Sequence, residues 1–222
     1  MKILELFCGT KSFAKVAKEK GHEIYTVDNN KIFEPDLCID ILKMQINDLP
    51  EKWRTPDFIW ASIPCTTFSV ASLRHYWANG LPKNDKCISG IMLACKTIAL
   101  IKALNPKYYI MENPRGMMRK QWFMKGFQRR TVTYCQYGDF RQKPTDLWTN
   151  LGLKWNPKPM CSPGSSCHES AKRGADKGTQ SLGGGGKNGA ILRSIVPKEL
   201  CLEIINSAFP KKTHKESERE CQ

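Results

Sequence analysis

The sequence predicts an α/β fold with a mostly parallel sheet, and three observations lead to it. Short apolar runs alternate with segments of helical periodicity through the first half of the chain. Each run is followed directly by a small or polar residue, as expected where parallel strands reach one edge of a sheet. Two later runs, residues 130–136 and 145–149, are joined by a polar loop and predict an antiparallel hairpin that closes the sheet.

Five apolar runs predict the parallel strands. Nearly continuous apolar runs are typical of strands that are buried on both faces. The predicted strands are residues 2–7, 23–27, 37–39, 58–63 and 108–111.

Three segments predict helices. Phe13, Val16 and Ala17 lie at helical spacing after the first strand, and residues 88–104 form a long apolar segment between the fourth and fifth strands. A last helix is expected to start at Pro197, because proline is favoured in the first turn. Its apolar face would carry Leu200, Ile204, Ile205 and Ala208.

The composition indicates one domain with an insert. Residues 1–155 and 190–209 carry the α/β pattern, and residues 156–189 turn to Gly, Ser, Lys and Pro, which predicts an irregular insert. Residues 210–222 are expected to be a flexible tail. A length of 222 residues suffices for one well-filled domain.

The charge balance favours a polyanionic partner. The chain has 35 Lys and Arg against 21 Asp and Glu, a net charge of +14. Nucleic acid is the favoured partner, because neutralised phosphates release their counterions. A solubilising charge or an acidic membrane surface are the alternatives. No apolar run is expected to reach the about 20 residues of a membrane span.

The cysteines are expected to be reduced. The chain has ten, and four of them (Cys38, Cys87, Cys95 and Cys201) lie in apolar segments, where a thiol packs as a small hydrophobe. The N-terminus runs directly into a strand pattern, so no signal peptide and a cytoplasmic location are expected. A monomer is expected.

Three consecutive strand ends predict a nucleoside site. Gly9 allows a tight turn and close approach of a ligand. Asp28 could accept both hydroxyls of a ribose, and Asp40 could accept the amine of an adenine. Each aspartate alone is more often a helix cap or a solvated loop carboxylate.

Two further strand ends offer a nucleophile and an acid. Cys65 follows the fourth strand, and Glu112 follows the fifth. An ordinary thiol has a pKa of about 8.5, so Cys65 needs a local activator. We expect this from the hydroxyls of Thr66 and Thr67 and from a following helix. A structural cysteine and a polar turn are the simpler alternatives for Cys65 and Glu112. Partial desolvation at the strand end would raise the pKa of Glu112 and make it a proton donor.

These segments, in this order, resemble the cytosine-C5 DNA methyltransferase family. Residues 6–9 look like its first cofactor motif, residues 64–69 are close to its Pro-Cys-Gln-x-Phe-Ser nucleophile motif, and residues 111–113 match its Glu-Asn motif. Residues 193–197 look like a weakened last motif. The similarity spans about residues 1–155 and 190–209, and the small lysine-rich form resembles solitary bacteriophage enzymes.

The resemblance implies a Rossmann-like fold that uses S-adenosyl-L-methionine. It implies methyl transfer to C5 of cytosine in duplex DNA, through a covalent cysteine adduct on a flipped base, in the cytoplasm of a bacterium or infected host cell. The implied catalytic residues are Cys65, Glu112 and Asn113. The implied cofactor contacts are Phe7, Cys8, Gly9, Asp28, Asp40, Ile41, Pro64, Leu93 and Ser194.

The sequence departs from the family in the base pocket. Pro144 and Asp146 stand where the family has two arginines. Either Arg115, Arg141 or Lys143 substitutes for them, or base recognition is altered.

The insert allows two interpretations. Lys172 and Arg173 could contact phosphates, and Gln180 could contact a base edge. Cys161, Cys167 and His168 could instead supply three of four zinc ligands. Their spacing is unusual and no fourth ligand is evident in the neighbouring sequence, so no metal is expected.

Two other functions fit the sequence. One branch of the family methylates cytosine in tRNA, and nothing in the predicted pocket excludes ribose hydroxyls. The altered base pocket also fits a catalytically inactive protein that keeps the fold and binds DNA through its charge.

Overall fold

The computed structural model of the protein describes residues 1–169 and 186–210. Its centre is a seven-stranded sheet with the order β3-β2-β1-β4-β7-β9-β8. The first five of these strands are parallel. The strands are β1 (Lys2–Leu6), β2 (Glu23–Asp28), β3 (Leu37–Cys38), β4 (Phe58–Ser62), β5 (Trp77–Ala78), β6 (Leu81–Pro82), β7 (Tyr108–Pro114), β8 (Arg129–Thr133) and β9 (Pro144–Thr149).

The predicted hairpin is confirmed, and the structure adds its position. β9 pairs antiparallel with β7 on one side and with β8 on the other, so the second strand of the hairpin is the one that joins the sheet. β5 and β6 form a separate two-stranded ribbon. The fold is therefore the predicted α/β fold with a mostly parallel sheet.

Helices cover both faces of the sheet. α3 packs against an apolar cluster that includes Met111 and Trp148 on one face. α1 and α5 pack against a second cluster around Trp60 on the other. The α-helices are α1 (Ser12–Glu19), α2 (Leu73–Tyr76), α3 (Asp85–Leu104), α4 (Gly186–Ser194) and α5 (Lys198–Ala208).

Short 3₁₀ helices occupy many of the connections. In the described part of the chain they are Lys31–Phe33, Ile46–Asp48, Glu51–Trp53, Val70–Ser72, Met118–Lys120, Trp122–Met124, Tyr134–Tyr137 and Gly152–Lys154. α2 and α4 are not among the three helices that the sequence pattern predicted. α4 is the longer of the two. It begins inside the glycine-rich stretch that was expected to be irregular.

The expectation about apolar length was wrong for α3. This helix has 20 residues and is long and apolar enough to cross a membrane by length and composition alone. A core helix of a soluble protein passes the same test. In α3, buried residues such as Ala94, Ile98 and Ile101 belong to the apolar cluster beneath the sheet.

The loop after β4 is held by close contacts to two glycines. The amide of Met117 donates to the carbonyl oxygen of Phe68 at 2.7 Å. A Cβ atom added to Gly116 would lie 2.1 Å from that oxygen, and one added to Gly90 would lie 2.3 Å from Oγ1 of Thr67. The missing side chains therefore let α3 and the loop after β7 approach residues 64–69.

We predict that Gly116→Ala destabilises the protein by about 1–3 kcal/mol, because the new methyl group overlaps backbone that cannot move alone. Gly90→Ala overlaps only the Thr67 side chain, so Thr67→Ala should restore much of the stability in the double variant. Urea unfolding of the native protein and the four variants, with Thr67→Ala as the control, measures both effects. Equal stability of Gly116→Ala and the native protein would contradict the proposed close contact.

Candidate active site

A large cavity lies at the carboxyl edge of the parallel strands. It has a volume of about 800 Å³, within the usual range for ligand sites. Its lining comes from the loops after β1, β4 and β7, from the residues before β9, and from the end of α4. The contributors from the strand ends include Phe7, Cys8, Gly9, Ile63, Pro64, Cys65, Glu112 and Pro114.

Cys65 and Glu112 line this same cavity. The pairing of β4 with β7 explains it, because Ser62 lies opposite Glu112 in the parallel register. The chain then needs three more residues to carry Cys65 over the sheet edge. A thiol and a carboxyl group from neighbouring strands therefore face one space.

Asn113 fixes the loop that carries Cys65. Its Nδ2 atom donates a 2.7 Å hydrogen bond to the carbonyl oxygen of Ile63, and its side chain is fully buried. Its Oδ1 atom is buried without a hydrogen-bond partner. The hydrogen bond to Ile63 supports a role for Asn113 in orienting the loop that carries Cys65.

Burial dominates the ionisation of Glu112. Desolvation raises its pKa, while the charge of Lys143 and hydrogen bonds from Tyr134 and Ser62 act to lower it. The Tyr134 hydroxyl donates to Oε1 of Glu112 at 3.1 Å. Burial also raises the pKa of Tyr134, so this hydroxyl remains a donor. The protonated form of Glu112 is favoured relative to an exposed carboxyl group.

The expected lowering of the pKa of Cys65 is wrong: the structure raises this pKa. Desolvation and the nearby Glu112 raise the pKa of Cys65, and Lys143 is the largest opposing influence. Thr67 Oγ1 is buried with no hydrogen-bond partner, and α2 begins only at Leu73. Neither the hydroxyls nor a helix terminus therefore lowers the pKa of this thiol.

A second thiol, that of Cys8, also lines the cavity. Burial raises the pKa of Cys8 to about 12, with Glu5 and Asp28 adding to the effect. Nucleophilicity requires the thiolate, so Cys65 is the better candidate nucleophile of the two.

Lys143 places a positive charge in this cavity. It lines the cavity, and its charge lowers the pKa of both Cys65 and Glu112. Its Nζ atom donates to the carbonyl oxygen of Arg193 at 2.8 Å and lies 4.4 Å from the ring centroid of Tyr134. Its backbone has a φ of 25°, a left-handed conformation that costs energy for a residue with a side chain.

The two candidate arginines are placed differently. Arg141 lines the cavity but forms a two-point ion pair with Asp139, with contacts of 2.9 and 2.6 Å. Arg115 lines the cavity with an exposed side chain, and its amide donates to the carbonyl oxygen of Pro144. Of these cations, Lys143 is the one whose charge acts on both Cys65 and Glu112.

Sequence comparisons agree with this geometry. Residues 1–127 match the family model of the C-5 cytosine-specific DNA methylase. The chain is 31% identical over 220 residues to the "Probable DNA (cytosine-5)-methyltransferase" of Frog virus 3 (isolate Goorha), covering 93% of this chain and 99% of the relative. The chain belongs to the C-5 cytosine-specific DNA methylase family.

The chain is also similar to parts of two solved structures. A mutant of Spodoptera frugiperda DNMT2 is 22% identical with a TM-score of 0.45 over 72% of this chain. The Dnmt2 methyltransferase of S. pombe is 16% identical with a TM-score of 0.46 over 67% of this chain. This methylase chain spans about half of each, 53% and 50%.

Pro144 and Asp146, which stand where the family resemblance implied two arginines, have different surroundings in this methylase. Asp146 is fully buried on β9 and forms a two-point ion pair with Arg119. Thr131 also donates to Asp146 at 2.8 Å. Pro144 lines the cavity without a polar side chain. The carboxylate at position 146 is therefore part of a closed network in the sheet.

Five of the nine residues that were predicted to contact the cofactor lie together in the cavity lining. Phe7, Cys8, Gly9, Pro64 and Ser194 line the cavity. Asp28 lies just behind it: one oxygen accepts from the Gly9 amide and the other from the Asn30 amide, each at 2.9 Å. The roles of these residues in binding remain predictions.

Besides Asp28, three predicted cofactor contacts lie outside the cavity lining. Asp40 Oδ1 accepts from the Leu42 amide, as in a local turn, and Ile41 is part of the apolar core. Leu93 lies on α3 and packs against that core. The predicted DNA contacts Lys172, Arg173 and Gln180 lie outside the described residues.

Sequence reasoning missed Glu5 and Tyr134. Glu5 lines the cavity from β1, and its carboxylate oxygen accepts from the Ala14 amide at 3.0 Å. Burial raises the pKa of Glu5 to about 8. A charged residue inside an apolar strand was the signal for Glu5; Tyr134 gave none, because its contact with Glu112 spans 22 residues.

The raised pKa of Glu5 predicts a pH dependence of stability. The folded protein holds the Glu5 proton more tightly than the unfolded chain, so this contribution is complete below about pH 4.5 and is lost as the pH rises through about 8. Glu5→Gln should reduce the slope of the unfolding free energy against pH by up to about 1.4 kcal/mol per pH unit. Chemical unfolding across this range measures the slope.

The exposed Glu34→Gln variant is the control and should keep the native slope. Parallel stability curves for Glu5→Gln and the native protein would show that Glu5 does not carry the effect.

Proposed function

We propose that this protein transfers a methyl group from S-adenosyl-L-methionine to C5 of cytosine in duplex DNA. Family membership gives the reaction class, and one observation supports the finer assignment: Cys65 and Glu112 line a single cavity, together with the loop after β1. A nucleophile and a proton donor can thus act on one pyrimidine.

The residues of the cavity fit the proposed cofactor. The loop after β1 supplies backbone groups at Cys8 and Gly9 and hydroxyls at Thr10 and Ser12. The left-handed backbone at Phe7 and Gly9, with φ values of 57° and 45°, turns this loop over the strand end. Asp28 holds the turn through the Gly9 amide. When bound, the cofactor supplies an electrophilic methyl group.

The protein residues would act on the base in sequence. The Cys65 thiol loses its proton to solvent, and the thiolate adds to C6 while protonated Glu112 donates its proton to N3, which makes C5 a nucleophile. After C5 has taken the methyl group, loss of its proton to solvent restores the C5–C6 double bond and expels the Cys65 thiolate. N3 then returns its proton to Glu112, and the thiolate takes up a proton from solvent. Each group ends in its starting state.

Ionisation of Cys65 is opposed by its surroundings and requires a nearby positive charge. Burial and the charge of Glu112 raise the pKa of Cys65, so the thiolate depends on groups that lower this pKa again. The charge of Lys143, and to a smaller extent that of Arg193, favours the thiolate, and a protonated Glu112 removes the carboxylate charge that opposes it. Proton transfer to N3 would restore that charge and so assist the later departure of sulfur.

DNA binding would provide the free energy for base flipping. Extruding a cytosine costs a few kcal/mol, which contacts in the pocket and phosphate neutralisation can offset. The net charge of +14 favours the second contribution. A flipped base is required, since both reacting side chains line a cavity.

We predict that duplex DNA containing 5-fluorocytosine forms a stable adduct through Cys65 when cofactor is present, since fluorine blocks the final proton loss. Cys65→Ser should abolish the adduct and the methyl transfer but leave duplex affinity within about threefold, because the deleted contact forms only during reaction. Cys38→Ser, at an exposed cysteine on β3, is the matched control.

Intact-mass analysis detects the adduct, and filter binding gives the affinity. Duplex binding without an adduct would favour a binding-only protein. Methylation of tRNA in preference to the duplex would favour the RNA activity.

Substituting Lys143 should test its role directly. Lys143→Met removes the charge, so the pKa of Cys65 and the pKa of Glu112 should both rise, and kcat should fall by about 10²–10³-fold. Lys143→Arg keeps the charge and should retain more activity. Single-turnover rates across pH separate ionisation from binding. Unchanged rates in Lys143→Met would exclude an electrostatic role.

A further inference from the structure

Four side chains outside the catalytic cavity come together at the edge of the sheet. Cys135, Cys161, Cys167 and His168 place one ligand atom each within 4.8 Å of all the others. We call these four residues the Cys₃His cluster. Cys135 lies in the 3₁₀ helix after β8, and the other three lie in the segment that follows β9.

The distances within the cluster approach those of tetrahedral zinc. With Zn–S near 2.3 Å and Zn–N near 2.0 Å, tetrahedral ligands are separated by about 3.8 Å for two sulfurs and about 3.6 Å for sulfur and nitrogen. The Sγ atoms of Cys135 and Cys167 are 3.7 Å apart. His168 Nδ1 lies 3.7 Å from Cys161 Sγ and 3.6 Å from Cys167 Sγ.

The shortest contact does not indicate a disulfide. Cys135 Sγ and Cys161 Sγ are 3.1 Å apart, well beyond the about 2.05 Å of a sulfur–sulfur bond. All three cysteines are free thiols. A contact of this length lies closer to the edge of a metal tetrahedron than to a covalent bond.

The surroundings of the cluster supply donors to sulfur. Gln142 Nε2 donates to Cys161 Sγ at 3.3 Å, and Gln136 Nε2 donates to Cys167 Sγ at 3.4 Å. The Cys161 amide donates to Thr133 Oγ1 at 3.0 Å and so fixes the backbone. Such outer contacts orient ligands and moderate the charge of thiolates.

We propose that the Cys₃His cluster binds a structural Zn²⁺ ion. Three soft thiolates and an imidazole select zinc over Mg²⁺ or Ca²⁺, which prefer oxygen ligands, and four protein ligands leave no open position for catalysis. The sequence expectation of no metal overlooked Cys135, because it lies 26 residues before Cys161.

The position of the site suggests what the ion does. Cys135 directly follows Tyr134, which donates to Glu112, and Gln142 directly precedes Lys143. The other three ligands precede residues 170–185, which carry the predicted DNA contacts. One ion would thus tie the start of that segment to the strand edge that positions Tyr134 and Lys143.

Metal analysis of the purified, reduced protein tests the proposal. After incubation with ZnCl₂ and gel filtration, the native chain should retain about one zinc per chain. Cys161→Ser and His168→Asn should lose stoichiometric zinc, and Cys38→Ser should keep it. Native protein without zinc, or ligand variants with the native content, would overturn the proposal.

Two further measurements do not depend on the folding of a ligand variant. Co²⁺ added to the native protein should give the intense visible bands of tetrahedral thiolate coordination, and Zn²⁺ should displace them. Gln142→Ala keeps all four ligands and should weaken zinc binding by about 10–100-fold. Octahedral cobalt spectra, or a Cys135–Cys161 disulfide that persists under reduction and prevents metal uptake, would overturn the assignment.

Discussion

The pairing of β4 with β7 is the constraint on which the site depends. Their parallel register places Ser62 beside Glu112, so the residues that follow the two strands meet at one edge of the sheet. The hydrogen bond from Asn113 to the Ile63 carbonyl then joins the two loops directly. Because Asn113 is fully buried, this bond is shielded from water and holds the loop of Cys65 against the end of β7.

The same enclosure explains the electrostatics of the cavity. Burial raises the pKa values of Glu5, Glu112 and Cys65, so the unliganded site favours neutral side chains around Lys143. Burial also lowers the pKa of Lys143, which the acidic groups oppose. The positive charge of Lys143 therefore lies beside groups whose burial favours their neutral forms.

The features that depend on local sequence pattern could be predicted from the sequence. Apolar runs located the five parallel strands, and the order of the motifs located Cys65, Glu112 and Asn113. It could not predict contacts between distant segments, such as Arg119 with Asp146 or Cys135 with Cys161, because these depend on how β8 and β9 join the sheet. The pKa of Cys65 was predicted in the wrong direction, since desolvation depends on the closed cavity and not on the neighbouring threonines.

The central claim is that Cys65 and Glu112 act on each other across one cavity. The direct measurement is the pH dependence of alkylation at Cys65, followed by peptide mass spectrometry, in the native protein and in Glu112→Gln. Since the charge of Glu112 raises the pKa of Cys65, the account predicts a lower pKa for this thiol in the variant. The exposed Glu34→Gln variant should leave the thiol unchanged. An identical Cys65 titration in Glu112→Gln and the native protein would contradict the account.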